Sequence, residues 1–196
     1  MRRVQISQNK FIERDKKMEI ESYRRDGYLV TISFDETAES PRRWDRFGTI
    51  LHLRSRYNLG DEVATREQIE EIVNDENNIC LPVYAYIHGG IIIKTKPFSC
   101  PWDSGQCGII FCTKEQCEKE GLTEDKAKSL LASEISEFSQ YLMGNVYRFS
   151  IKKIIKCDSC GHERFETQES CGGYYDMDYL KEEIKAWFEC VKNETH

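Results

Sequence analysis

The pattern of apolar and polar positions along the chain predicts several short strands. Residues 28–34 are β-branched and aromatic, a composition typical of a strand. The pair Gly89-Gly90 separates two apolar runs and predicts a hairpin, because glycine tolerates the positive φ of a tight turn. Further strands are predicted at 47–53, 79–87, 91–95, 108–112, 146–156 and 163–169.

Other segments repeat their apolar residues at helical spacing. The longest such segment, 124–143, carries one apolar stripe and predicts a helix with one buried face. A shorter helix is predicted to begin after Thr113, which with Gln116 has the spacing of a capping box. Two further helices are predicted at 66–74 and 178–191.

Together these elements predict an α+β fold, with a mostly antiparallel sheet of hairpins, two to four helices and a Cys-x-x-Cys hairpin. The length of 196 residues favours one domain. We therefore predict a charged N-terminal arm over residues 1–25, followed by a single domain over residues 26–196. The Cys-x-x-Cys hairpin is predicted within residues 150–172.

Charge and hydropathy narrow the classes of function. The formal net charge of −6 argues against a protein that mainly neutralises nucleic-acid phosphates, although residues 42–56 carry five Arg against one Asp. No apolar run is long enough to span a membrane, so we predict no membrane partner. The basic start lacks a following apolar segment, so we expect no signal peptide and a cytoplasmic protein.

The nine cysteines include one arrangement typical of a zinc site. Cys157 and Cys160, followed by Gly161, have the spacing of a turn that wraps a tetrahedral Zn²⁺. The nearest candidates for the remaining ligands are His162 and Cys171, with Cys117 and Cys190 as alternatives that only folding could bring near. A metal-free turn and a redox pair are the other interpretations.

A second unusual segment contains a thiol, a carboxylate and an amide between two predicted strands. If the protein were a thiol enzyme, Cys100 would be the nucleophile, His88 its base and Asp103 the orienting carboxylate, with Gln106 stabilising an oxyanion. The alternative is an ordered loop in which Trp102 fills the core and polar side chains satisfy backbone groups.

Several segments resemble a family of small proteins encoded by tailed phages and related mobile elements. The resemblance covers roughly residues 28–192, and its most specific motif is PFSCPWDSGQ at 97–106. Members commonly have WDNLGT where this chain has Arg46 and Phe47 in WDRFGT, and a histidine where Arg54 stands. Some members lack the Cys-x-x-Cys turn. Further matching segments are RYNLGD at 56–61, LPVY at 81–84, YLMGNVY at 141–147 and SCGGY at 170–174.

The resemblance implies a role in countering bacterial defence, since small phage proteins of this kind often block CRISPR effectors or restriction enzymes. On this interpretation the protein is not an enzyme but an anti-defence inhibitor, for example an anti-CRISPR, in the host bacterial cytoplasm. Its partner would be a host defence nuclease such as a Cas effector. Candidate contact residues are the aromatic side chains of Trp44, Trp102, Tyr174 and Tyr175.

Two other functions remain as alternatives from the residues themselves. The first is a thiol-dependent hydrolase that uses Cys100, His88 and Asp103. The second is a zinc-stabilised nucleic-acid-binding protein that uses the basic stretch at 42–56, although the net charge disfavours direct nucleic-acid binding.

Overall fold

A computed structural model describes residues 19–194 of the chain, which form nine strands, four α-helices and a short 3-10 helix (Pro41–Arg43) within that range. The strands are β1 (Glu19–Arg25), β2 (Tyr28–Phe34), β3 (Thr49–Leu53), β4 (Glu62–Ala64), β5 (Asn78–Ile87), β6 (Ile91–Lys94), β7 (Ser104–Thr113), β8 (Tyr147–Lys156) and β9 (Glu163–Tyr174). The helices are α1 (Arg66–Asn74), α2 (Lys114–Lys119), α3 (Glu124–Met143) and α4 (Met177–Glu194). The predicted α+β class with mostly antiparallel strands is confirmed.

The described chain divides into two compact units. The terminal unit contains described residues 19–38 and 144–194, and the inserted unit contains residues 39–143. The sequence pattern predicts one domain over 26–196, and the structure differs because β2 and β8 pair although the whole inserted unit separates them along the chain. Local periodicity carries no information on such distant pairing.

The terminal unit is an antiparallel sheet covered on one face by α4. Its strand order is β1-β2-β8-β9, and β1 and β2 are joined through Asp26 and Gly27, both at positive φ as a two-residue hairpin turn requires. Alternate residues of the strands face the helix, so a small apolar core forms between the two layers. Its buried members are Val30, Ile32, Phe149, Ile151, Leu180, Ile184 and Phe188.

The predicted N-terminal arm is only partly within the described residues. Residues 1–18 lie outside them, and residues 19–25 form the edge strand β1, paired with β2 from Arg25 opposite Tyr28 to Glu19 opposite Ser33. Most β1 side chains are exposed. An exposed edge strand can have a polar composition, and for this reason its sequence resembles that of an arm. The arm prediction is therefore wrong for 19–25.

The inserted unit is a five-stranded sheet with helices on both faces. Its strand order is β4-β3-β7-β5-β6, with only β3 and β4 parallel among the described pairs. The neighbouring residues Ile109 and Ile110 of β7 point to opposite faces of the sheet. Ile109 packs in one core with Ile69 of α1. Ile110 packs in the other core with Leu131 of α3. The sheet thus buries both of its faces.

Several local predictions are confirmed in the inserted unit. Helix α3 spans the predicted residues 124–143, β5 and β6 form the hairpin around Gly89-Gly90, and Thr113 with Gln116 forms a capping box at α2.

Within residues 19–194, no helix is long and apolar enough to cross a membrane.

Candidate functional sites

The Cys100 loop, residues 95–103, connects β6 to β7 beside the β5–β6 turn. The backbone N–H of Ile87 donates a hydrogen bond to the carbonyl of Asp103 at 3.0 Å, which joins the end of β5 to the end of the loop. The hydroxyl of Ser104 donates to the carbonyl of Cys100 and closes the loop on itself. The loop is therefore tied to the sheet at its carboxyl end by one backbone hydrogen bond and closed by one side-chain hydrogen bond.

The structure brings the three predicted catalytic residues together on this loop and the adjacent turn. Asp103 Oδ2 lies 3.3 Å from His88 Nδ1 and 4.0 Å from Cys100 Sγ. The carboxylate therefore stands between the thiol and the imidazole, whereas a thiol nucleophile needs the imidazole next to the sulfur. The amide of Gln106 donates to the carbonyl of Gly108 at 3.3 Å, and the His88 side chain is 71 % exposed.

Trp102 projects from the Cys100 loop into solvent. Its exposed fraction is 92 %, so the alternative in which it fills the core is wrong. Beside the loop, the rings of Tyr86 and Phe98 lie 5.6 Å apart, and the Lys94 ammonium lies 3.9 Å from the centre of the Phe98 ring. Phe98 of the loop thus packs on Tyr86, whereas the indole of Trp102 is left in solvent.

The other predicted contact residues differ in their surroundings. Trp44 is 45 % exposed in the inserted unit, with the Arg46 guanidinium 5.0 Å from its ring centre. Tyr174 and Tyr175 are only half-exposed, and Tyr174 packs 5.8 Å from the Phe149 ring against the core of the terminal unit. Burial, followed by contact with Cys171, raises the pKa of Tyr174. Tyr174 is therefore better explained as a core residue.

Two of the five arginines in the basic stretch 42–56 are held by carboxylates. Arg42 donates to Asp61 at 2.6 Å and to Glu134 at 2.8 Å, and its side chain is almost fully buried. Arg46 donates to Glu137 at 2.6 Å. Because both guanidiniums already contact anionic groups, they offer little to nucleic-acid phosphates.

The sequence analysis missed Glu134 although a signal for its burial was available. Glu134 follows Leu131 by three residues and precedes Phe138 by four on α3, so it lies on the apolar stripe. Its carboxylate accepts from Arg42 and from the backbone N–H groups of Phe47 and Gly48. A charged residue inside an apolar stripe indicates a buried partner of opposite charge.

The Cys-x-x-Cys turn lies at the tip of the β8–β9 hairpin, and residues 157–162 are all exposed. The carbonyl of Cys157 accepts from the N–H of Gly161 at 2.8 Å, with Gly161 at a φ of 67°. The Ser159 hydroxyl lies 3.1 Å from the Cys157 sulfur. Hydrogen bonds from this hydroxyl, from the N–H and the thiol of Cys160 and from the Ser159 N–H lower the pKa of Cys157 to about 6.

The structure separates the predicted zinc ligands. His162 belongs to the turn. Cys171 lies on β9 opposite Phe149 of β8, eight residues and so roughly 26 Å along the strand from Glu163. Cys117 is buried 3.7 Å from Cys112 in the inserted unit, and Cys190 is exposed on α4. Over residues 19–194, no group of three or more His, Cys, Asp or Glu side chains is placed to hold a metal ion.

The thiols are predicted to differ in reactivity with iodoacetamide. In metal-free buffer we expect Cys157 to be alkylated first, with a rate that rises through a midpoint near pH 6 and then levels off, because the thiolate is the nucleophile. Burial raises the pKa of Cys107 to about 11 and of Cys112 to about 12, so these thiols should remain unmodified at pH 7. Peptide mapping by mass spectrometry measures each rate.

Ser159→Ala is the matched variant for this prediction. Loss of the hydroxyl should move the Cys157 midpoint towards the ordinary thiol value of about 8.5. An unchanged midpoint in the variant, or a midpoint near 8.5 in the native protein, would contradict the hydrogen-bonded arrangement at the turn.

Comparisons of the chain with family models, with curated proteins and with solved structures found no match.

Proposed function

We propose that the protein is a phage-encoded, non-enzymatic binding protein that inhibits a host defence nuclease, such as a Cas effector. The observation that carries docking to a partner is the 92 % exposure of Trp102 on a loop held by hydrogen bonds, while the phage origin and the nuclease target rest on the motif resemblance. Tryptophan is enriched among the residues that dominate interface energies, and an indole left in water has apolar surface to bury on a partner.

The surroundings of Trp102 favour docking to a protein. The loop is held at Asp103 and Ser104, so less conformational freedom is lost when a partner covers it. Phe98 of the same loop, packed on Tyr86 of β5 and Lys94 of β6, adds aromatic surface. The net charge of −6 favours approach to a basic partner, and the DNA-binding surface of a nuclease has that charge.

The test is inhibition of DNA cleavage by purified nucleases, with affinity measured for any nuclease that is inhibited. We expect Trp102→Ala to weaken binding about 30-fold or more, the usual loss when a central interface tryptophan is removed. Phe165→Ala is the control, because Phe165 is 46 % exposed but lies in the terminal unit. Equal affinity of native protein and Trp102→Ala would contradict docking through the loop.

A thiol-dependent hydrolase is the second candidate, because Cys100 and His88 both lie next to Asp103, although the carboxylate stands between the sulfur and the imidazole. Cys100→Ala separates the two functions in the same assay. An inhibitor should retain its affinity in this variant, since the indole of Trp102 remains. A hydrolase should lose nearly all activity, because the sulfur forms the covalent intermediate. Loss of inhibition in Cys100→Ala, with inhibition retained in Trp102→Ala, would therefore overturn the binding proposal.

A further inference from the structure

The β8–β9 hairpin extends beyond its neighbouring strand. The pairing of β2 with β8 ends at Tyr28 opposite Lys153, and the N–H of Ile154 bonds to the carbonyl of Gly27 in the β1–β2 turn. Pairs from Ile155–Arg164 to Lys156–Glu163 continue past that point. Cys157 and Cys160 therefore stand at a projecting tip, which another molecule can approach.

The local backbone of the tip is that of a metal-binding turn. Gly161 has positive φ, and its N–H donates to the carbonyl of Cys157 at 2.8 Å, which closes the turn that carries the two cysteines. Such an arrangement lets two thiolates bind one tetrahedral ion at about 2.3 Å each. A structural zinc site needs four ligands, however, and the described part of the chain brings no third group of the required kind into place.

We propose that two copies of the chain join tip to tip around one Zn²⁺, each copy supplying Cys157 and Cys160. The four thiolates complete the tetrahedral set that one copy leaves incomplete. Steric access is good, because every residue from 157 to 162 is exposed.

Charge at the tip also permits a second copy to approach. Residues 156–164 carry two cationic and two anionic side chains, Lys156 and Arg164 against Asp158 and Glu163. Two such tips therefore do not repel each other strongly. The excess negative charge of four thiolates is reduced by the zinc ion itself. This zinc-bridged pair is independent of docking through Trp102, which belongs to the inserted unit.

The test is zinc titration of the reduced, full-length protein after treatment with a chelator. Light scattering after size-exclusion chromatography measures the mass, and elemental analysis of the same peak measures the zinc. We expect the mass to double on zinc addition, with one zinc ion per two chains, and to return to that of the monomer on adding chelator. A monomer with one zinc ion per chain, or no bound zinc, would overturn the proposal.

Three variants locate the ligands. Cys160→Ser should abolish the zinc-dependent doubling of mass, and its unfolding curve without zinc should match that of the native protein, because the residue is exposed. Cys171→Ser is the matched control for an exposed cysteine away from the tip and should still dimerise. His162→Ala should also dimerise, and loss of zinc binding in this variant would place His162 among the ligands and overturn the four-thiolate pair.

Discussion

Glu134→Gln is expected to lower the free energy of unfolding of the inserted unit by about 3 kcal/mol, because the substitution leaves buried donors without an acceptor. One carboxylate oxygen of Glu134 accepts from the N–H of Phe47 at 2.8 Å, and the other accepts from Arg42 at 2.8 Å and from the N–H of Gly48 at 3.3 Å. Either orientation of a glutamine amide would place an NH₂ group against an N–H donor.

Burial makes this substitution costly. The side chains of Arg42 and Glu134 are each 7 % exposed, so water cannot replace the lost contacts. Arg42 retains Asp61, which is more exposed, and this remaining pair limits the loss. The network also joins residues 42–48 to α3, so its disruption should loosen both segments.

Glu137→Gln provides the matched control. Glu137 lies three residues further along α3 and also pairs with an arginine, Arg46, but its side chain is 27 % exposed. Solvent weakens such a pair, so we expect a loss of about 1 kcal/mol or less. Urea unfolding of both variants measures the difference, and equal losses would contradict the importance assigned to burial.

Gly108→Ala is the second substitution with a large expected effect, a loss of about 3 kcal/mol in the free energy of unfolding of the inserted unit. A Cβ added to Gly108 would lie 2.0 Å from the carbonyl oxygen of Leu51 and 2.9 Å from Cα of His52. Both are backbone atoms of β3, which pairs directly with β7 at this point. No rotation of a side chain relieves the overlap, so the strands must separate.

Gly105→Ala tests whether the effect is one of contact or only of glycine removal. Gly105 lies on the same strand, and a Cβ there would meet no atom within 4 Å. We therefore expect this variant to be as stable as the native protein or slightly more stable, since alanine restricts the unfolded chain. Thermal unfolding compares the two variants. Destabilisation of similar size in both would contradict the steric explanation.

At the candidate sites, the sequence predicted which residues lie near one another, but not how they are arranged or exposed. The sequence predicted the trio of Cys100, His88 and Asp103, and the loop and turn bring them together because β5 and β7 pair at Tyr86 and Ser104. The order of contact, with Asp103 in the middle, depends on the path of the loop. The ordered-loop interpretation placed Trp102 in the core, and the inhibitor interpretation placed it on the surface. The sequence does not decide between them, because the exposure of a side chain depends on packing.

The sequence by itself determined the local elements: the stripe of α3, the turn at Gly89-Gly90, the capping box at Thr113 and the Cys-x-x-Cys turn. Each depends on residues within a few positions of one another, where backbone preferences and side-chain periodicity act directly. The tertiary structure alone decided the pairing of β2 with β8, the division into two units, and the separation of Cys171 from the turn. Burial of apolar surface drives such distant contacts and is non-directional, so many pairings satisfy the same local pattern and only the complete packing selects one.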